Sequence, residues 1–293
     1  MSEAKGMDIK MNHSVCFKGY GRYVPREGWL DRGLREVKHN PRVFFENYGA
    51  DALGVEPKMA KAIRYWLKCS GMIDESVRTV IRLTDLGGMI LDKDPYFEKT
   101  FSLWILHCNI ARNRRLATAW QLFFNEFGDR EFTRQEMKHK MLALAESAAE
   151  GEKISARSVG DDCDAILCMY TGKQILPGSQ EEDGSPFWSL GLIRETELGF
   201  AKNQPALHNL PAEVVLYLLA ENLPRGGWFC IEELMTAANA PGRILNLKPV
   251  VLMEILKQLA YSGRIILHQT ADLDMVYLPA QTKPEHVLRD YYR

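Results

Sequence analysis

The stretch from Pro57 to Gly71 constrains this 293-residue sequence more than any other. Pro57 suits the first position of a helix, where its missing N–H costs nothing, and Gly71 suits the stop. Between them Met59, Ala62, Ile63, Trp66 and Leu67 recur at i, i+3, i+4, i+7 and i+8. At roughly 100° per residue these positions share one face. Lys58, Lys61, Arg64 and Lys68 fall on the other side. Such a helix buries one seam and presents cations to water.

The flanks complete a unit. A helix is expected near Pro41–Asn47 and a short one over Ala50–Leu53, ended by Gly54. The spacing Ala50-x3-Gly54 gives two closely crossing helices a small contact residue and a glycine in the turn. After Gly71, Met72–Ile73 and Val77–Leu83 read as strands around the polar turn Asp74-Glu75-Ser76, and Thr84–Gly87 closes the hairpin. Helix, helix, turn, helix and hairpin make a winged helix-turn-helix.

The remainder reads as mainly helical. Residues 1–15 are polar and read as loose, and Phe17–Leu30 reads as an extended, turn-rich segment. Asp94–Met141 reads as packed helices, with Thr133 three residues before Glu136 as a capping box opening a helix to about Ala149. Gly151–Gly160 reads as a linker, Asp162–Tyr170 as a helix, and Pro177–Ser185 as the clearest loop. Short strands are expected over 187–200. Helices are expected over Pro211–Asn222, Ile231–Ala238 and Lys248–Tyr261, with a break at Ala240–Gly242. A hairpin of Arg264–Gln269 and Met275–Leu278 around Thr270–Asp274 gives a second winged unit by order of elements. The expected class is mainly α (α+β), with winged helix-turn-helix units at both ends and a helical middle: residues 17–92, 93–176 and 186–280.

Hydrophobic residues make up 46% and charged residues 26% of the chain, with a formal net charge of -1. Any affinity for a polyanion must therefore be local. No apolar run reaches the roughly 18 residues of a membrane span. The opening stretch has no apolar segment of the secretory kind. Six scattered cysteines read as reduced core residues rather than a disulfide framework. Together these features predict a cytoplasmic protein.

Several longer motifs resemble a known bacterial family, the domain of unknown function numbered four thousand and seven. They are REGWL (Arg26–Leu30), LGVEPKMAKAIRYW (Leu53–Trp66), LTDLG (Leu83–Gly87), DPYFEKTFSLWILH (Asp94–His107), TAWQLFFNEF (Thr118–Phe127), EFTRQEM (Glu131–Met137) and APGRILNL (Ala240–Leu247). The family carries a Gly-His-Glu-Thr-Phe element near its start. Here Gly19-Tyr20-Gly21-Arg22-Tyr23 stands instead, so a function resting on that His-Glu pair does not carry over. The resemblance implies a place in anti-phage defence clusters linked to DNA phosphorothioation, beside sulfurtransferases that look like phosphoadenosine-phosphosulfate reductases.

The candidate DNA-binding residues are Lys58, Lys61, Arg64 and Lys68 on the helix, with Arg78 and Arg82 on the wing to reach flanking phosphates. The competing reading is a solvated helix surface or a protein-docking module. Arg112, Arg114, Arg115, Arg130, Arg134, Lys138 and Lys140 form a second basic region, which ion pairing would account for. Arg243, Lys248 and Arg264 give the carboxy-terminal unit less charge, and dimerisation or partner docking is expected of it.

Asp161, Asp162, Cys163, Asp164 and Cys168 lack the paired spacing of a zinc site, so helix capping and buried cysteines are expected there. His107 and Cys108 read as core. Gly172-Lys173 lacks the rest of a phosphate loop, and Asp94 with Glu98-Lys99 lacks the acidic order of a metal-dependent nuclease. No catalytic set, metal or cofactor is expected. The sequence predicts a non-catalytic, double-stranded-DNA-binding accessory protein. The alternative is a scaffold docking a sulfurtransferase-like partner, and an unrecognised nuclease is the third reading.

Overall fold

A computed structural model describes residues 15–173, 184–223, 226–269 and 274–293. The polar amino terminus up to residue 14, most of the 177–185 loop and residues 270–273 of the second hairpin turn lie outside them.

The first helix, α1 (Trp29–His39), begins where a turn-rich segment was expected to end. Its inner face holds Trp29, Leu30, Leu34 and Val37. The helix anticipated near Pro41–Asn47 is instead two single 3-10 turns, Val43–Phe45 and Asn47–Gly49. Asn47 and Tyr48 there have positive φ, 42° and 57°, which breaks any continuous helix. Helix α2 (Ala50–Leu53) ends at Gly54 in the left-handed region, φ 62°. Helix α3 (Pro57–Cys69) then starts on proline and buries Ala62, Ile63, Trp66 and Leu67, as its periodicity requires. Gly33 lets α1 approach α3. A Cβ there would lie 2.7 Å from Leu67 Cδ1 and 2.8 Å from Ile63 Cγ2.

The hairpin is shorter than expected. Strands β1 (Ile73–Asp74) and β2 (Arg82–Leu83) pair antiparallel as Ile73↔Leu83 and Asp74↔Arg82, leaving residues 75–81 as a loop. Thr84 caps α4 (Asp85–Lys93) by accepting the Gly87 N–H, and its hydroxyl donates to the Gly71 carbonyl at 2.7 Å. The LTDLG motif is thus a structural clasp.

Helix α5 (Thr100–Arg112) runs through the centre, with Phe101 to Cys108 all buried. Helix α6 (Thr118–Asn125) lies against it and is buried on every side. After β3 (Glu131–Phe132), α7 (Arg134–Ala148) opens with the expected Thr133–Glu136 capping box. Helix α8 (Ala156–Thr171) begins six residues before the expected start because Ser155 caps it.

In the second half, β4 (Ile193–Thr196) and β5 (Gly199–Lys202) join β3 in a sheet of order β3-β5-β4. The pairs Glu131↔Ala201 and Phe132↔Phe200 therefore cross the division expected at 177–185. Helix α9 (Ala212–Asn222) is followed by β6 (Gly227–Cys230), a strand the sequence reading omits. Helices α10 (Ile231–Thr236), α11 (Pro241–Ile244, where a break was expected) and α12 (Pro249–Tyr261) follow. Strands β7 (Ile266–Gln269) and β8 (Asp274–Leu278) complete a sheet of order β6-β8-β7. The final helix, α13 (Pro284–Tyr291), was also not anticipated.

The carboxy-terminal helix meets the α4–α5 connection at a buried polar node. Asp94 accepts the N–H groups of Glu98 (2.9 Å) and Lys99 (3.2 Å) and a short bond from the Ser102 hydroxyl. Ser102 Oγ in turn lies 2.6 Å from Tyr292 Oη. The described residues are thus mainly helical with three small antiparallel sheets over one continuous apolar core. Among them, no helix is long and apolar enough to cross a membrane.

Candidate nucleic-acid interface

The outer face of α3 is built by burying the opposite one. Trp66 is fixed by an Nε1–H bond to the Tyr23 carbonyl (2.8 Å) and by Tyr20 and Trp120. The three ring centroids stand 5.2 to 5.5 Å apart. Tyr20 occupies the place where the family's His-Glu element is expected. It is 2% exposed, and its hydroxyl donates to the Asp161 carbonyl at 3.2 Å. With the seam locked, Lys58, Lys61 and Lys68 are exposed, and Arg64 is half-buried.

The four cations are not equivalent. Glu75, in the loop after β1, folds back onto α3. One of its oxygens meets Arg64 Nε at 2.6 Å, and the other meets Lys68 Nζ at 2.9 Å. Desolvation works to raise the Glu75 pKa. The hydrogen bonds and charges of Arg64 and Lys68 outweigh it and hold the carboxyl below its usual range. Arg64 and Lys68 therefore do not stand free on the face as expected, because they share one carboxylate from the polar turn. Lys58, Lys61, Arg78 and Arg82 remain exposed. Arg82 lies across the ladder from Asp74, whose carboxylate also accepts the Ser76 N–H and hydroxyl.

Three residues absent from the sequence prediction adjoin this face. Lys61 Nζ sits 3.7 Å over the ring of Tyr48. The Arg42 and Arg64 guanidiniums lie 5.5 and 5.6 Å from the centre of the Phe45 ring. Phe45 and Tyr48 are 39% and 48% exposed. Arg42 also donates to the Thr79 carbonyl (3.0 Å), and Ile81 N–H to the Pro41 carbonyl (2.8 Å). The 41–48 segment thus fastens the hairpin loop beside α3. Its signal was an Arg-x-x-Phe within the expected helix Pro41–Asn47 and a Tyr just after it.

The other candidates are accounted for by packing. Arg112 pairs with Glu221, Arg134 and Lys138 with Asp164, and Lys140 with Asp129, so ion pairs between elements absorb much of the second basic region. Asp161, Asp162 and Asp164 lie within α8, not at its cap. Asp161 pairs with Lys18, and Asp162 accepts the Lys18 N–H at 3.1 Å. Burial pushes Asp162 up to about 7, against the hydrogen bonds it accepts. Among the described residues, no group of three His, Cys, Asp or Glu side chains is placed to hold a metal. None of the six cysteines forms a disulfide. His107 is buried: Nε2 donates to the Ile244 carbonyl (2.9 Å), which leaves Nδ1 to accept from Tyr170 Oη (2.7 Å). Arg264 pairs with Asp290.

Comparison with known proteins adds a family and a fold. Residues 17–292 match the profile of the family described as "Protein of unknown function (DUF4007)". The chain belongs to this family. Two solved structures share the DUF4007 chain's fold at a TM-score of 0.83. One is described as "Magnesium ion-bound SspB crystal structure" (22% identity) and the other as "SspB crystal structure" (23% identity). Each match covers 94% of this chain and 87% of the other. No curated protein matches the sequence.

Proposed function

We propose that residues 17–92 form a winged helix-turn-helix unit that grips double-stranded DNA, chiefly through phosphates. In this reading the chain is a non-catalytic accessory protein of an anti-phage system linked to DNA phosphorothioate modification, the setting its family resemblance implies. The observation that carries the binding role is the exposure of Lys58 and Lys61 on a helix whose far side is locked into the core. Arg78 and Arg82 stand exposed on the adjoining hairpin. Phosphate contacts of this kind position a protein on the duplex without reading bases.

The test is fluorescence anisotropy with a labelled duplex, with and without phosphorothioate linkages and with magnesium present. Lys58→Glu together with Lys61→Glu should abolish binding while leaving the melting temperature unchanged. Unaltered affinity overturns the assignment, and cleavage of either duplex replaces a binding role with a catalytic one.

A second reading, docking of a sulfurtransferase-like protein or of a second copy, is favoured by the carboxy-terminal unit. There Val250, Tyr261, Trp228 and Ile266 are 78%, 97%, 50% and 51% exposed. Co-purification without a salt-sensitive DNA shift would support it.

A further inference from the structure

A cavity of about 250 Å³ lies between the end of α6, β5 and the start of α12. Arg130, Lys202, Arg243 and Lys248 line it together with Gln204, and no aspartate or glutamate is among the lining residues. None of the four cations makes an ion pair among the described residues. Arg64, Arg112, Arg134 and Lys138 meet carboxylates elsewhere, and the exposed Lys58, Lys61, Arg78 and Arg82 stand on open surface rather than around a cavity.

Two of the cations are anchored rather than free. Lys202 Nζ donates to the Phe123 and Phe127 carbonyls, both at 2.7 Å, and lies 4.7 Å from the centre of the Phe123 ring. An ammonium has three donors, so one remains. Arg243 donates from Nε to the Thr236 carbonyl (2.5 Å) and from Nη1 to the Asn125 carbonyl, which leaves Nη2. Gln204 Oε1 accepts the Lys248 N–H at 3.1 Å, so its amide NH2 is left to donate. The main chain thus fixes two positive groups around one small space, each with a donor unspent.

Their proximity is costly without an anion. Burial, followed by the charge of Arg243, pushes Lys202 down to about 7. Asp129 opposes this more weakly and is itself paired with Lys140. A doubly charged ligand would reverse that balance. Lys248 sits at the N-cap position of α12, where the positive end of a 13-residue helix adds to the cavity's field. The volume is below the roughly 300 Å³ at which drug-sized pockets begin. It suits a phosphate or diphosphate group better than a base or a sugar.

We propose that this cavity is a binding site for a phosphate group, held by Lys202 and Arg243 at its floor and by Arg130 and Lys248 at its rim. It uses none of the α3 residues and stands or falls separately from the DNA-binding reading.

The experiment is calorimetric titration of the full chain with inorganic phosphate and inorganic pyrophosphate. Pyrophosphate should bind, and Lys202→Met should weaken it about tenfold or more, the loss expected for one charge-assisted bond. Should Lys202→Met fail to fold, Arg130→Gln combined with Lys248→Gln removes the two exposed rim cations and should weaken binding by a similar factor. The Lys58→Glu, Lys61→Glu variant should bind pyrophosphate normally. Displacement of pyrophosphate by duplex DNA would identify a backbone phosphate as the natural occupant. Tighter binding of a nucleoside di- or triphosphate without such displacement would identify a free nucleotide. Absence of phosphate and pyrophosphate binding, or binding unchanged in both sets of variants, overturns the proposal.

Discussion

Glu75 and Arg64 meet at 2.6 Å, Oε1 to Nε, across the gap between the hairpin loop and the outer face of α3. One carboxylate thereby holds two of the cations that the sequence places on that face. Substituting Glu75→Gln should release Arg64 and Lys68 to solvent. Duplex affinity is expected to rise, and the slope of log affinity against log salt should steepen by up to about 2. A salt series of anisotropy titrations reads both, and an unchanged slope would place the bound DNA away from α3.

Reversing Arg78 and Arg82 to glutamate is expected to weaken duplex binding equally for all sequences, because backbone contacts carry no base information. Arg78→Glu should leave the melting temperature unchanged, whereas Arg82→Glu faces Asp74 across the ladder and should lower it slightly. Loss of binding to one sequence only would mean that the hairpin reads bases.

Gly87 lies against the main chain of Met72, where an added Cβ would come within 2.1 Å of the carbonyl oxygen. Gly87→Ala must push the hairpin away from α4, at a cost of about 1–3 kcal/mol for overpacking. Chemical denaturation should show the loss. DNA affinity should fall with it if the hairpin's placement matters for binding.

Two buried groups titrate in opposite senses over one pH range. Desolvation, against the hydrogen bond to Ile244, lowers His107 from 6.5 to about 4. Between those values only the unfolded chain takes up the proton, so this group makes stability fall as pH drops, by about 3 kcal/mol in all. Asp162 is raised from 3.8 to about 7. There the folded chain takes up the proton first, so stability from this group is present at low pH and lost as pH rises to about 7. From about pH 4.5 to 6.5 the native protein should therefore show a shallow dependence. His107→Gln, which keeps a donor and an acceptor, should become less stable as pH rises through this range. Asp162→Asn should become less stable as pH falls. Urea midpoints at several pH values for the three proteins check this, and parallel curves would refute it.

What could be read in the sequence was what local physics determines. The α3 seam, the Thr133 capping box and helices α9 and α12 follow from periodicity and caps within one segment. Helix α1 escaped because its N-cap, Gly28, sits at φ 75° with no side-chain cap, so no polar start signal precedes Trp29. Strand β6 escaped because its ladder partner is distant, Trp228 opposite Tyr277. The candidate face was half legible. Periodicity gave which way Lys58 and Lys61 point. It carried no information about a turn carboxylate returning to Arg64, or about Arg42 and Phe45 arriving from a preceding 3-10 turn. The cations of the 250 Å³ cavity are spread from residue 130 to residue 248, and no spacing rule brings them together.

The ladder Glu131↔Ala201 and Phe132↔Phe200 has a consequence for heredity as well as for folding. Each half of the polypeptide holds part of one small sheet, so a gene fragment ending between them would encode an unpaired edge. Recombination at any point between Phe132 and Gly199 would leave that edge bare. The sheet thus ties the segment around residue 131 to the segment around residue 200 as one folding unit.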